Sequence, residues 1–578
     1  MLRTTKISIM KPMKYTIALF TLSLLFGTTY GQQKDKQQQE YNEEVTIIAP
    51  YQPSISGAQK IDMFPSIEVD PPEKRSVSYR IQPQKINVDY TPEEMDAVRV
   101  KQESKESVNS NFIKGGFGNY KTPYAELFST TGPSENHRVG FHVKHLSHSG
   151  DINNYATSAN SHNMATVFGE KYYRNSSLYG KISYNRDMIH RYGFNPKDPL
   201  YSGFSYRDEN LKRILTNASA NLRFENLNKD EEEFDYHIDL KAYRWWDDHQ
   251  SLENAVKLEM LGNKPVEWFD AINYQSFGIK GNFQFFNTGD SLEAINSAHI
   301  SLRPFMELRS GYYYLKAGAN LSSIMDDNKD LELTIFPDIQ ARIHVVPEYL
   351  TIFGGLTGGK EAQSLRRLNN KNPFLKSDII VSPNRKNYTT TKMDAYGGIK
   401  GNITRGFDFQ LKVSYLEKED HALFVTDYTK DFDNQFRIMY DDLTITKFSG
   451  GFNIRGGERF NLDLSGNYYN YTTATAAKAW HLPEMEFHAE TEYRMAKPLP
   501  LTLSLSSAIL TGRYAKNTAG KVVELDDIID ISAAAEYNFN NSLTAFFRIN
   551  NITAQNQEIW YNYPSYGLNF LIGAGYSF

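Results

Sequence analysis

The sequence contains no cysteine among its 578 residues. This absence excludes disulfides, cysteine-ligated zinc or iron–sulfur centres, thiol nucleophiles and lipid attachment to an N-terminal cysteine. An excess of one charge is also lacking, because 63 Lys and Arg face 68 Asp and Glu, with a formal net charge of −5. A nucleic-acid-binding protein needs a basic surface to neutralise phosphates, so no nucleic-acid partner is predicted.

Long hydrophobic runs are absent as well, and the mean hydropathy is −0.54. The longest apolar run, at 15–26, is too short to span a bilayer and has the length of a signal-peptide core. Lys6, Lys11 and Lys14 precede it, and small residues follow. The pattern predicts a signal peptide over residues 1–31 and export of the chain, in preference to a buried N-terminal helix.

Residues 32–110 differ in composition from everything that follows. The segment opens with QQKDKQQQE and contains seven prolines, from Pro50 to Pro92. Proline at this density, with few apolar runs, is typical of extended chain rather than of a packed domain. The sequence therefore predicts a Pro-rich periplasmic arm over residues 32–110.

From residue 111 to 578, apolar and polar residues alternate, and the chain is rich in aromatics, with 38 Tyr and 35 Phe. In the segment 407–415, for example, Phe409, Leu411 and Val413 share one face of a strand. A soluble β-sandwich also alternates, but these runs are about 9–12 residues long, the length that crosses a bilayer at a tilt. We therefore predict an all-β fold, a transmembrane antiparallel β-barrel of about 18–22 strands.

The last strand supports this prediction. Its apolar face ends on Tyr576 and Phe578, an arrangement that resembles the C-terminal insertion signal of bacterial outer-membrane proteins. We expect the outer membrane of a Gram-negative bacterium, with outer-membrane lipid and the barrel assembly machinery as partners. Large surface loops are expected at four places: 147–162, 191–209, 361–389 and 417–435.

Short motifs in the second half point to a family. They are NPFL at 372–375, YGGIKGNI at 396–403, FDFQLKVSY at 407–415 and RINNITAQNQEIWYNYP at 548–564. These stretches resemble the barrel of Bacteroidota TonB-dependent receptors. The opening of the barrel, FIKGGFGNYKTPYAELF at 112–128, resembles a smaller Bacteroidota group of receptor-like barrels that lack a standard plug domain. Only 79 residues, 32–110, separate the predicted signal peptide from the barrel, too few for such a plug.

The resemblance implies a role in solute or nutrient uptake and a TonB partner. One stretch of the arm resembles a TonB box and would pair edge-to-edge with a periplasmic protein; its residues are Glu44, Val45, Thr46, Ile47, Ile48 and Ala49. A strand or linker against the barrel mouth is the alternative for this stretch. The alternative for the whole chain is a non-transporting structural or assembly barrel, filled by its arm and acting through protein partners.

Candidates for catalysis or metal binding are weak. His142 and His148 fall on one face of a strand and His145 on the other, so the three cannot converge on a metal. The 326–337 segment lacks the glycine and glutamate of a calcium loop, and the acidic run 230–233 is typical of a solvated turn. We predict no catalytic, cofactor or metal site and no enzyme activity.

Three carboxylates of one predicted strand are a further candidate feature. Glu486, Glu490 and Glu492 are expected to face the lumen, where they would set an acidic field or simply supply the polar lining.

Overall fold

A computed structural model describes residues 110–578 with ten gaps. The gaps are 133–135, 202–206, 228–232, 271, 290–293, 327–328, 378–384, 405, 430–431 and 496–497. The predicted signal peptide, arm and TonB-box-like strand therefore lie outside the described residues, as do residues 230–232 of the acidic run 230–233. Within the described residues no helix is long and apolar enough to cross a lipid bilayer.

The alternating segments form strands, numbered here in chain order. The first nine are β1 (Asn111–Gly118), β2 (Thr122–Thr130), β3 (His137–His148), β4 (Asn160–Tyr172), β5 (Ser176–His190), β6 (Lys212–Asn226), β7 (Asp235–Asp247), β8 (Leu252–Pro265) and β9 (Tyr274–Gly289). The next nine are β10 (Ala294–Arg309), β11 (Tyr313–Asp326), β12 (Lys329–Val346), β13 (Leu350–Ala362), β14 (Tyr388–Thr404), β15 (Phe407–Thr426), β16 (Phe436–Gly456), β17 (Phe460–Thr473) and β18 (Met485–Arg494). The last eight are β19 (Leu501–Thr511), β20 (Arg513–Lys516), β21 (Val522–Leu525), β22 (Ile528–Asn538), β23 (Leu543–Asn550), β24 (Glu558–Trp560), β25 (Tyr563–Pro564) and β26 (Asn569–Ser577).

The described residues form one closed antiparallel barrel of 22 strands. Each barrel strand pairs with the next along the chain, and β1 pairs with β26 to close the ring. At the seam the Phe578 amide donates to the Asn111 carbonyl at 3.0 Å. Closure satisfies every edge, as a strand-built membrane span requires. The predicted all-β fold and strand number are confirmed, at the upper end of the expected range.

Two small hairpins and a little helix lie outside this ring. The hairpin β20–β21 interrupts the pairing of β19 with β22, and β24–β25 lies between β23 and β26. Within the described residues the helices are a 3₁₀ turn (Pro199–Tyr201), α1 (Asp208–Leu211) and α2 (Leu365–Lys371). All of these elements belong to connections at one end of the barrel.

The two faces of the wall differ as the alternation predicts. Leu411 and Val413 of β15 are exposed on the outer face. Ser414, the residue after Val413, points to the other face and is buried toward the interior. The C-terminal strand repeats this pattern, with Ile572 and Tyr576 exposed and Leu571 buried. An apolar outer band on a closed barrel is the feature that allows it to sit in lipid.

The two ends of the barrel also differ. At the end that holds Phe578, connections are short, such as 310–312 and 347–349. At the opposite end lie the long connections, which are 149–159, 191–211, 363–387, 427–435, 474–484, 512–527 and 551–568. At this long-loop end the connections form structure in addition to the barrel wall.

One predicted loop is shorter than expected. We predicted a loop over 417–435, but residues 417–426 continue β15, and only 427–435 connects it to β16. A β-bulge between Lys418 and His421 breaks the alternation within the charged run 417–420. The bulge adds a residue to one side of the ladder, so that the apolar–polar alternation is interrupted and the sequence pattern no longer indicates a continuous strand.

Candidate functional site: a folded cap at the long-loop end

The long connections pack on one another to form a cap, which we define as segments 149–159, 191–201, 363–377, 474–484 and 551–568. Its centre is aromatic: the rings of Phe374 and Tyr563 stack at 3.7 Å, and Tyr192 meets Tyr563 edge-on at 4.9 Å. Phe436 and Trp560 pack beside them at 5.5 Å. These five side chains are buried. Loops that share a hydrophobic core of this kind form a folded layer rather than independent surface loops.

The segment 363–377 is the part of the cap that reaches farthest from its own strands. It leaves β13 and contacts β6, β7, β8 and β16. Its helix α2 begins at Ser364, whose hydroxyl accepts the Arg367 amide at 3.2 Å as an N-cap. Leu365 and Leu368 are buried on one face of α2. The helix therefore docks by its apolar face, and its remaining residues are left for the other side.

The N-terminus of α2 is held by Glu253 of β8. The carboxylate accepts the backbone amides of Leu365 at 2.6 Å and Arg366 at 3.2 Å. It also accepts the Tyr243 hydroxyl at 2.8 Å. A carboxylate at a helix N-terminus satisfies amides that have no partner within the helix. Glu253 is completely buried, so this contact fixes α2 against the inner wall.

A second anchor is a buried ion pair. Arg213 of β6 donates to Asp247 of β7 at 2.8 Å and to the carbonyls of Pro373 and Leu375 at 2.8 Å each. The Asp247 carboxylate also accepts the Ser377 hydroxyl at 2.9 Å. Both charged side chains are inaccessible to solvent. Buried charges are tolerated only when paired and hydrogen-bonded, and here the cap supplies part of that bonding.

The NPFL motif at 372–375 explains how the segment ends in the core. The Asn372 side chain accepts the Phe374 amide at 2.9 Å, which turns the chain after α2. Phe374 enters the aromatic centre, and Leu375 is fully buried and bridges in parallel to Phe436. The Phe436 amide donates to the Phe374 carbonyl at 3.0 Å. The motif therefore turns the chain after α2 and connects segment 363–377 to β16 at the mouth of the barrel.

Other cap segments are tied together through backbone carbonyls. The Tyr192 hydroxyl donates to the Pro564 carbonyl at 2.8 Å, and the Asn434 side chain donates to the Arg191 carbonyl at 2.7 Å. A Cβ at Gly193 would overlap the Tyr563 ring, so only glycine fits at this crossing. Burial lowers the pKa of Arg191 to about 10, and nearby Arg213 adds to the shift.

A histidine of the cap is held neutral. Nδ1 of His481 donates to the Phe424 carbonyl at 2.9 Å, and its ring lies 5.0 Å from that of Trp560. Burial lowers the pKa of His481 to about 3, although the contact with the Phe424 carbonyl opposes this. The neutral imidazole is therefore part of the cap's packing.

The residues singled out from sequence occupy the following places. Tyr576 and Phe578 point outward, half exposed, with their rings 5.9 Å apart. Their role as an insertion signal stays a prediction. His142 and His148 face inward and are buried, while the ring of His145 on the other face contacts Asn163.

Each acidic candidate also has a definite setting. Glu486 is buried on the inner face and accepts the Tyr469 hydroxyl at 3.0 Å. Asp326 accepts the Asn387 side chain at 2.6 Å. Among the described residues, no group of three His, Asp or Glu side chains has the geometry of a metal site.

The cap itself was not predicted from sequence. The residues that build and anchor it, such as Arg213, Glu253 and Trp560, lie far apart in the chain and share no motif with one another. The signal that was available was NPFL, which carried the family resemblance without revealing its structural task. Polar residues such as Arg213 at strand ends that otherwise alternate were a second, weaker signal.

No protein-family model and no curated protein matches the chain. Among solved structures, it is similar to the pyoverdine outer membrane receptor FpvA of Pseudomonas aeruginosa, with a TM-score of 0.61 and 11% identity over 82% of this chain and 79% of that chain. It is similar to the ferric-catecholate import receptor Fiu of E. coli K12, with a TM-score of 0.60 and 10% identity over 81% and 82%. The FrpB iron transporter of Neisseria meningitidis gives a TM-score of 0.61 and 10% identity over 81% of each chain. At this identity the likeness establishes a shared barrel fold.

Proposed function

We propose that the chain is a TonB-dependent-receptor-like barrel of the outer membrane that takes part in solute or nutrient uptake. The observation that supports this most directly is a 22-strand barrel whose fold is shared with outer membrane receptors. In outer-membrane barrels the long loops are extracellular and the short turns periplasmic. The cap would then lie at the cell surface.

In this proposal residues 1–31 are a signal peptide, and 32–110 are an arm on the periplasmic side. The barrel assembly machinery recognises the strand that ends in Tyr576 and Phe578, and outer-membrane lipid covers the apolar band. TonB pairs with the arm by strand addition at Glu44 to Ala49, which relies on backbone hydrogen bonds.

The test is Ile47→Pro, which removes a backbone donor in the TonB-box-like strand and leaves the barrel untouched. Cells that produce this variant should assemble the barrel normally and lose uptake or growth on the solute that the wild type supports. Ile47→Val, which keeps the backbone amide, is the matched control and should behave like the wild type. Unchanged growth and uptake with Ile47→Pro would contradict energy coupling through this strand.

The runner-up is a non-transporting structural or assembly barrel. The closed cap favours it, since a mouth held by two buried anchors and an aromatic centre is built to stay shut. Under this hypothesis Ile47→Pro is mild, deletion of 32–110 opens a conductance in planar bilayers, and affinity purification returns stable protein partners. A wild-type protein that conducts as a large open pore would contradict both proposals.

A further inference from the structure

Five cations surround helix α2 on the side that its apolar face leaves free. They are Lys257 of β8, Arg366, Arg367 and Lys371 of α2, and Lys418 of β15. Lys257 lies within electrostatic range of Arg366 and Arg367, and Lys371 within range of Arg367 and Lys418. We call this group the α2 cation cluster. The cluster has members on strands β8 and β15 of the barrel and on helix α2 of the cap.

The cluster faces the interior of the barrel. Lys257 follows Glu253 and Ala255 on the inward face of β8, and Lys418 follows Ser414 on that of β15. The outward residues between them, such as Val256 and Val413, are exposed on the apolar band. All five cations are partly accessible. Their charges therefore face the barrel interior beside the cap helix rather than the apolar outer band.

Few carboxylates neutralise the cluster. Glu253 uses both oxygens on the α2 amides, the Tyr243 hydroxyl and Thr288. Glu361 pairs with Arg367. Asp394 lies within electrostatic range of Lys418. Across the described residues, however, no carboxylate comes within 4.0 Å of the ammonium groups of Lys257, Lys371 or Lys418. The five cations still outnumber the carboxylates within their electrostatic range, which are Glu253, Glu259, Glu361 and Asp394. Like charges held close together repel one another, and an anion that joined them would offset the remaining repulsion.

A histidine beside the cluster gives an independent observation. His421 lies within electrostatic range of Lys418, Lys371 and Arg367. Its Nδ1 atom is buried and has no hydrogen-bond partner among the described residues. This ring nitrogen therefore keeps its hydrogen-bonding capacity beside three cations. The imidazole can donate to an oxyanion or accept from its protonated form.

Aromatic rings hold two of the cations in place. The Arg366 guanidinium lies 4.5 Å from the centre of the Tyr243 ring, and the Lys257 ammonium lies 5.2 Å from that of Phe286. Such contacts orient a cation without neutralising its charge. The charges are therefore arranged before any ligand arrives, which reduces the entropy lost on binding.

We propose that the α2 cation cluster is a binding site for multivalent oxyanions, such as polycarboxylates or phosphate groups, immediately beneath the cap. The inference rests on the proposed uptake function, which it deepens by assigning a ligand class. An anion bound there contacts Arg367 and Lys371 of the cap and Lys418 of the wall at once. Occupancy therefore ties the cap to β15, and the ligand's charge is what the site selects.

The test uses the full chain purified in detergent, with citrate and inorganic phosphate as probes in titration calorimetry. The double variant K371Q/K418Q should weaken citrate binding by about tenfold or more, because it removes two charged hydrogen-bond donors. The matched control is Lys392→Gln, which removes an exposed lysine of neighbouring β14 that pairs with Glu419. Its binding should equal that of the wild type. Heat-modifiable migration on gels checks that each variant has folded.

A pH series gives a second readout. Burial, reinforced by Arg367, lowers the pKa of Lys371 to about 8, so unliganded Lys371 loses its charge as pH rises through that value. The other groups that face it are Glu361 of β13 and Lys418 and His421 of β15. Citrate binding should therefore weaken between pH 7 and 9 in the wild type and change less in Lys371→Gln.

Three results would overturn the site: no binding of either probe by the wild type, unchanged binding in K371Q/K418Q, or an equal loss in the Lys392→Gln control. These experiments test the anion site, and the uptake function is tested independently of it. Anion binding without any uptake phenotype leaves the site standing and removes the transport role. Uptake of a neutral or cationic solute by a barrel that binds no anion would support the transport role and rule out the anion site.

Discussion

The barrel wall and the cap are held together in different ways. In the wall, every strand is bonded along its length on both sides, as in the register from Phe407↔Ile454 to Thr426↔Phe436 between β15 and β16. In the cap, a few side chains join segments distant in sequence, chiefly Arg213, Glu253 and the hydroxyl of Tyr563. The wall repeats one small interaction many times, and the cap depends on a handful of strong ones.

This difference teaches where the molecule can open. Removal of one wall contact leaves its neighbours in place, whereas removal of one cap anchor frees a whole segment. Regions held by few contacts open locally at a free energy below that of global unfolding. The cap is therefore the part expected to rearrange while the wall stays intact, and the following changes would break or sharpen this contrast.

The largest expected effect comes from Arg213→Met. This change leaves Asp247 buried without its cation and two carbonyls of segment 363–377 without donors. Loss of one member of a buried ion pair costs about 3–5 kcal/mol. The segment should become sensitive to limited proteolysis, while hydrogen exchange in β15 stays unchanged.

The matched variant is Arg213→Met with Asp247→Asn, which removes the stranded charge. It should recover part of the loss, as a double-mutant cycle would show. If wall and cap were destabilised equally in the single variant, the separation between the two regions would be wrong.

The next effect concerns the wall. Leu411 lies in the middle of the outward run of β15 and is 42% exposed on the apolar band. Leu411→Arg should cost about 2–4 kcal/mol, because a charge at the bilayer midplane is unfavourable on the lipid face. Assembly into the outer membrane should fall, with Leu411→Met as the neutral control. Normal assembly of Leu411→Arg would mean that this face does not contact lipid.

Sequence and structure agree on the wall because its rule is local. Alternation placed Leu411 and Val413 on one face and gave a range of about 18–22 strands that includes the observed 22, since side chains in a strand alternate with period two. The exception, residues 417–426, follows from the bulge at Lys418–His421. The cap escaped prediction because no local rule pairs Arg213 with Pro373, or Tyr192 with Pro564.

A smaller effect should appear on acidification. Burial lowers the pKa of His481 to about 3, below its ordinary value near 6.5. Its contribution to cap stability is therefore present above pH 6.5 and is lost as pH falls toward 3. At pH 5.5, one unit below the ordinary value, the loss is about 1 kcal/mol.

Protease sensitivity of segments 474–484 and 551–568 should therefore rise from pH 7.5 to 5.5. In His481→Gln, which keeps a donor for the Phe424 carbonyl but does not titrate, this rise should be smaller. An identical rise in both proteins would assign the pH dependence to another group.

The smallest effect is expected at the start of α2, where Ser364 caps the Arg367 amide. Ser364→Ala should destabilise the helix by about 1 kcal/mol, because one terminal amide loses its acceptor. Amides 365–371 should exchange faster by about fivefold, since 1.4 kcal/mol corresponds to a factor of ten. Ser364→Thr keeps the hydroxyl and should stay near the wild type. Because Glu253 still holds the neighbouring amides, segment 363–377 should remain docked, and exchange in β15 should not change. Release of the whole segment 363–377 by this substitution would show that the segment depends on the N-cap of α2 and not on the buried anchors Arg213 and Glu253.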